Sequence, residues 1–241
     1  MSLNHSPAIV TDGLVLCLDA ANIRSYPKSG TTWSDLAGSN NGTLTNMDSS
    51  NFSNDGAGSL TFDGTDAYIS SIGNLSTFTF IQNSAEFSIS AWVFPFVVNQ
   101  FNPIIGNTTG SAEKGWFIRI DDDATVRMAA RRGVVGQSVF GIKTSNTLQA
   151  NQWVHLFGTG DGSLVKLYIN SNRVSVVTEL QGENVGTLST GDSTRVTAIG
   201  INPVNTPQAF NGRISLTQIY NRALTPDEIR QNYQATVGRY T

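Results

Sequence analysis

In Phe210-Asn211-Gly212-Arg213-Ile214-Ser215-Leu216-Thr217-Gln218-Ile219-Tyr220-Asn221-Arg222-Ala223-Leu224-Thr225-Pro226-Asp227-Glu228-Ile229 a strand passes almost directly into a helix. Ile214 and Leu216 alternate with polar neighbours, the period of a half-buried strand, which runs on through Ile219 and Tyr220. Thr225 is then a good N-cap, Pro226 suits the first helical position, and Glu228 completes a capping box. Ile229, Tyr233 and Val237 recur at helical spacing, so the pattern predicts a short amphipathic helix over 225–237 that closes the chain.

Working back from this end, alternation dominates. Phe87, Ile89, Ala91 and Val93 fall on one face of a strand, with Ser88, Ser90 and Trp92 on the other. Trp116–Ile120 and Thr125–Ala129 read as a hairpin around Asp121-Asp122-Asp123, whose acidic tip is expected to be solvated. Trp153–Gly158 and Leu164–Asn170 read as a second hairpin, followed by a strand at Arg173–Val177. The interval 182–193 reads as a surface loop, and Ala198–Ile201 as a strand before the closing one. Many short strands, frequent turns and one convincing helix argue for a sandwich or jelly roll. Thr77-Phe78-Thr79-Phe80-Ile81 and Val97–Pro103 lengthen two of the connections.

Composition narrows the function. The chain has 241 residues, of which 14% are charged, and a net charge of −3. That balance carries no electrostatic footprint for nucleic acid, and Arg131-Arg132 reads as a solvated loop or an interface contact. No run reaches the roughly 18 apolar residues that a membrane span needs, and Met1–Pro7 lacks the basic-then-apolar pattern of a secretory leader. The lone Cys17 lies in an apolar strand and reads as a small buried hydrophobe. With one cysteine there is no disulfide within the chain.

Further anchors stand in order along the chain: Gly13–Asp19, Ser25–Leu44, Gly58–Ile69, Phe87–Val93 and Trp153–Leu156. Together with the closing strand and helix they resemble the LamG-like, concanavalin A-like jelly-roll domains, although Ala67 replaces a usual second acidic residue. The resemblance spans Gly13 to Tyr233. It implies an all-β jelly-roll sandwich of two antiparallel sheets with a short C-terminal helix. It further implies one domain over 1–241, with an N-terminal arm at 1–12. Members of this family mostly bind or build. The wording of Tyr26-Pro27-Lys28-Ser29-Gly30-Thr31-Thr32-Trp33-Ser34-Asp35-Leu36 is similar to that of virion proteins of tailed bacteriophages. It implies a non-enzymatic virion accessory protein, a head decoration or fibre component. Such a protein would be a homo-oligomer on the virion surface, contacting copies of itself and other virion proteins. The alternative is a carbohydrate-binding adhesion module, extracellular or at a cell surface and assisted by calcium. A polysaccharide hydrolase on the same scaffold is the third reading.

Candidate site residues follow from these readings. By the resemblance, Asp35, Asn41, Asp63 and Asp66 occupy loops where relatives supply calcium ligands; the competing reading is that Asp35 and Asp63 hold turns through their own backbone. Trp33, Trp92 and Trp116, with Tyr68 also available, are candidates for a glycan platform, against the reading that they are core. Phe94, Phe96 and Phe101 are candidates for a subunit or capsid contact, against the reading that they cap the core. Retaining glycosidases need two carboxylates about 5–5.5 Å apart. The family's Glu-x-Asp strand motifs are absent, since Glu86, Glu113, Glu179, Glu183 and Glu228 stand apart or in loops. His5 and His155 are the only candidate bases for a triad, and a Gly-x-Ser-x-Gly elbow is missing.

Overall fold

The computed structural model describes residues 7–108, 114–132, 138–178, 195–202 and 208–241. Two antiparallel sheets form the body. The eight-stranded sheet runs Asn172–Arg173, Val165–Ile169, Val154–Asp161, Glu86–Pro95, Asn211–Tyr220, Ser59–Asp63 and Phe52–Ser53, with Leu14–Asp19 also paired to Asn211–Tyr220. The nine-stranded sheet runs Val176–Thr178, Ser138–Thr147, Thr125–Arg132, Lys114–Ile120, Asn102–Gly106, Thr197–Ile199, Tyr68–Ile72, Gly42–Thr45 and Thr32–Trp33. The expected all-β sandwich of two antiparallel sheets is what the chain forms.

The core lies between the sheets, and the period-2 patterns decide which side chains enter it. Phe87, Ile89, Ala91 and Val93 point inward from one sheet. Trp116, Ile118 and Ile120, with Val126, Met128 and Ala130, meet them from the other. Phe87 stacks on Phe140 across the gap, with ring centroids 5.5 Å apart. Gly58, at φ +145°, lets the chain pass against Ala20 and Ala21; a Cβ there would stand 2.6 Å from the Ala21 Cα.

The closing helix spans Pro226–Thr236 and is capped as its sequence indicates. Thr225 Oγ1 accepts from the Glu228 N–H, and the Glu228 carboxylate accepts from the Thr225 N–H at 2.8 Å. The helix and the 3-10 turn Val237–Arg239 lie on the outer face of the eight-stranded sheet. Tyr233 and Tyr240 stack on Trp92 there, at 5.6 and 4.0 Å. The N-terminal arm is clasped to the same helix, where Asn232 Oδ1 accepts from the Val10 N–H. The outer face of the eight-stranded sheet is thus covered around Trp92.

Three local expectations change. The Arg173–Val177 segment is two strands: Asn172–Arg173 pairs with Val165–Ile169 in one sheet, and Val176–Thr178 pairs with Ser138–Thr147 in the other. The backbone of Arg131 and Arg132 lies in the strand Thr125–Arg132 and pairs with Lys114–Gly115, so it is no loop. The apolar insertion near Phe78 forms a short helix, Phe80–Asn83, which buries Ile81; Phe78 packs edge-on against Trp116 at 6.3 Å. The expected loop at 182–193, together with Glu113, Glu179, Glu183 and His5, lies outside the described residues.

Candidate functional site

Outward-facing residues of the nine-stranded sheet create the site. In Lys114–Ile120, Trp116, Ile118 and Ile120 are committed to the core, which turns Phe117 and Arg119 to the other side. Asn102–Gly106 and Tyr68–Ile72 contribute Pro103, Ile105 and Tyr68, and the Thr197–Ile199 region contributes Arg195 and Ala198. Together with Asn202 these residues line a cavity of about 320 Å³. Its floor depends on Gly106, where a Cβ would meet the Trp116 carbonyl oxygen at 2.4 Å and the Phe117 Cα at 2.8 Å. Ser71, on the rim, holds φ at +63° within its strand. Left-handed non-glycine residues of this kind concentrate at functional positions. On another wall, Thr108 Oγ1 bonds to Asn202 Oδ1 at 3.0 Å.

Beside the cavity runs a row of cations set by strand register. Arg119 stands opposite Arg127, and Arg127 opposite Lys143. Asp121 organises them: its carboxylate meets Arg119 Nε at 2.5 Å, Arg127 Nε at 3.3 Å and Lys143 Nζ at 3.5 Å. Lys143 also bonds Asp123 at 2.6 Å, and this bond, with those from Thr125, holds the Asp123 carboxyl at about 2. The acidic turn is therefore no solvated tip at its first residue, since Asp121 is only 2% exposed. The Arg119 guanidinium lies 4.6 Å from the Phe101 ring centre and 4.9 Å from that of Phe117.

The tryptophans expected to form a glycan platform are buried instead, two in the core and one beneath the closing helix. Trp33 and Trp116 are fully buried between the sheets, and Trp92 is covered by Tyr233, Tyr240 and His155. Trp92 does point away from the core, as its strand position requires, but the closing helix occupies that side. A buried tryptophan removes on the order of 200 Å² from water, or about 5 kcal/mol of transfer free energy, and that is the use made of all three.

The calcium candidates form two closed loops. Asp35 accepts from the backbone N–H of Cys17, Ala37 and Asn40, at 2.8, 2.9 and 3.1 Å, and Asn41 Oδ1 accepts from the Asp35 N–H. Asp63 Oδ1 accepts from the N–H of Thr65, Asp66 and Ala67. Both Asp35 oxygens are thus turned to N–H donors, an arrangement suited to holding a loop and poorly suited to a cation. Among the described residues no group of three His, Cys, Asp or Glu side chains is placed to share a metal ion.

Phe94, Phe96 and Phe101 are all half-buried. Phe94 packs on Phe96 and Trp153, and Arg213 lies over Phe94 and Phe96 at 5.5 and 5.0 Å. Arg213 is held in turn by Asp55 at 2.5 Å. Phe101 lies apart from this strip, beneath Arg119.

A two-sheet antiparallel jelly roll with one covered face and one cavity-bearing face defines the structural class. The chain belongs to the concanavalin A-like lectin/glucanase superfamily, whose family profile matches residues 62–230. Its fold is similar to that of Trypanosoma rangeli sialidase in complex with the inhibitor DANA. The TM-score is 0.67 at 16% identity, over 99% of this chain and 36% of the sialidase. The chain thus spans about a third of the length of that enzyme. The Ruminococcus gnavus IT-sialidase CBM40 matches at TM-score 0.56 and 13% identity, over 71% of this chain and 94% of that one. A sequence comparison with curated proteins finds no match.

Phe117, Arg119 and Arg195 were not singled out from sequence as site residues. The available signal was the strand around Trp116: once Trp116 and Ile118 are assigned inward, Phe117 and Arg119 must face out.

Proposed function

We propose that this chain is a carbohydrate-binding module whose ligand lies on the outer face of the nine-stranded sheet. The observation that carries this reading is the cavity, with the Phe117 and Tyr68 side chains on an apolar floor and Arg119, Arg195 and Asn202 around it. An apolar concavity with a few oriented polar groups is the usual form of a small-ligand site. The sialidase and CBM40 neighbours support carbohydrate as the ligand class. A binding role is favoured over hydrolysis because none of the described residues lining the cavity is a carboxylic acid, so the described lining offers no carboxylate pair of the kind most glycosidases use. The test is a glycan array followed by Tyr68→Ala. Binding should be detected and should weaken by about tenfold in the variant, with an unchanged melting curve. A silent array would overturn the reading.

As its setting we propose the surface of a bacteriophage virion, where the chain serves as an accessory protein among copies of itself. The wording of the Tyr26–Leu36 loop supports this, and the half-buried strip of Phe94, Phe96 and Trp153 supplies an apolar contact. Mass spectrometry of purified virions tests it; absence of the chain from the particles would refute it.

A further inference from the structure

We infer that the sugar this cavity takes carries a carboxylate, an inference that rests on the carbohydrate reading above. The two charged residues among its described lining are Arg119 and Arg195, both cationic. The chain as a whole has a net charge of −3, so the sign at the cavity runs against that of the molecule. Beside it, Arg119, Arg127 and Lys143 share the carboxylate of Asp121, and Lys143 also bonds Asp123. Asp121 takes Arg119 on its Nε edge, and the Phe101 and Phe117 rings flank the guanidinium, so this cation is positioned before any ligand arrives. A planar guanidinium matches a carboxylate in two parallel hydrogen bonds, whereas a neutral hydroxyl cannot use its charge. The Phe117 and Tyr68 rings supply an apolar surface for the face of the sugar ring.

The experiment measures affinity for four probes at low and at physiological salt: a galacturonan oligosaccharide, its carboxyl-reduced product, sialyllactose and lactose. The proposal expects at least one acidic probe to bind at least about tenfold more tightly than its neutral counterpart. That preference should shrink as salt is added. Comparing the two acidic probes tells whether a uronic or a sialic acid supplies the carboxylate. Arg195→Ala, at an exposed position, should remove the preference in a protein that still unfolds cooperatively, and Arg119→Ala should also remove it, at a lower melting temperature because Asp121 loses a partner. Equal binding of acidic and neutral probes overturns this inference and leaves the carbohydrate reading standing. An acidic preference that survives Arg195→Ala and a folded Arg119→Ala overturns the assignment to this cavity. Failure of all four probes and of a wider array, with folded protein, overturns both.

Discussion

Replacing Asp35 by alanine separates a loop clasp from a metal ligand. The carboxylate is 8% exposed and accepts three backbone N–H groups, of Cys17, Ala37 and Asn40. The Cys17 amide is buried in the strand Leu14–Asp19, so its orphaning costs about 1–3 kcal/mol. The other two lie in a partly exposed loop that water can enter, and each loses only about 0.5–1 kcal/mol. The sum is about 2–5 kcal/mol, which for a chain of this size lowers Tm by about 4–20 °C. Thermal and urea unfolding of both proteins should be run with EDTA and with millimolar calcium. The clasp predicts the same loss in both buffers and no shift of the wild-type Tm on adding EDTA. A loss below about 0.5 kcal/mol, or one that appears only with calcium, would refute the reasoning.

His155 is stacked 5.0 Å from Trp92 with its Nδ1 unpartnered among the described residues, and burial holds its pKa at about 3 against an ordinary 6.5. Between those values the unfolded chain binds the extra proton, so stability falls as pH drops from 6.5, by up to about 1.4 kcal/mol per pH unit. His155→Leu should flatten that slope in urea titrations, and an imidazole resonance that titrates near 6.5 in the folded protein would contradict the assignment. Glu228 is held at about 2, chiefly by its bonds to Arg222 at 2.7 and 3.0 Å. A depressed carboxyl stabilises the fold above its ordinary 4.5 and loses that contribution as pH falls through about 2. The advantage of the wild type over Glu228→Gln should therefore be full at pH 7 and gone near pH 2; an advantage that persists there would place its source elsewhere.

The fold was legible wherever local chemistry and tertiary packing ask for the same thing. Thr225, Pro226 and Glu228 specify a helix start without reference to the rest of the chain, and the helix begins there. Phe87, Ile89, Ala91 and Val93 specify a buried face and occupy one. What alternation does not encode is which sheet a strand joins. Arg173–Val177 reads as one strand by pattern, yet Asn172–Arg173 and Val176–Thr178 belong to different sheets. That division is decided by partners at Val165–Ile169 and Ser138–Thr147, whose places in the sheets are set by long-range pairing.

The site was harder to read because its residues resemble ordinary surface. Trp33, Trp92 and Trp116 drew attention as the largest rings, but ring size also gives the greatest return on burial, so the fold uses them internally. Phe117 and Arg119 are unremarkable in a strand; what makes them a site is the side of the sheet they share with Tyr68 and Ile105, contributed by strands that start nearly fifty residues earlier and by one between. Trp92 shows the same point from the other direction. Its strand position sends it outward, and only the helix some 140 residues later decides that this outer face is closed. Facing outward is thus a property of local sequence, while being open to a ligand is a property of topology. In this chain the closing helix covers the outer face of the eight-stranded sheet around Trp92, while the outer face of the nine-stranded sheet keeps the cavity beside Phe117 and Arg119.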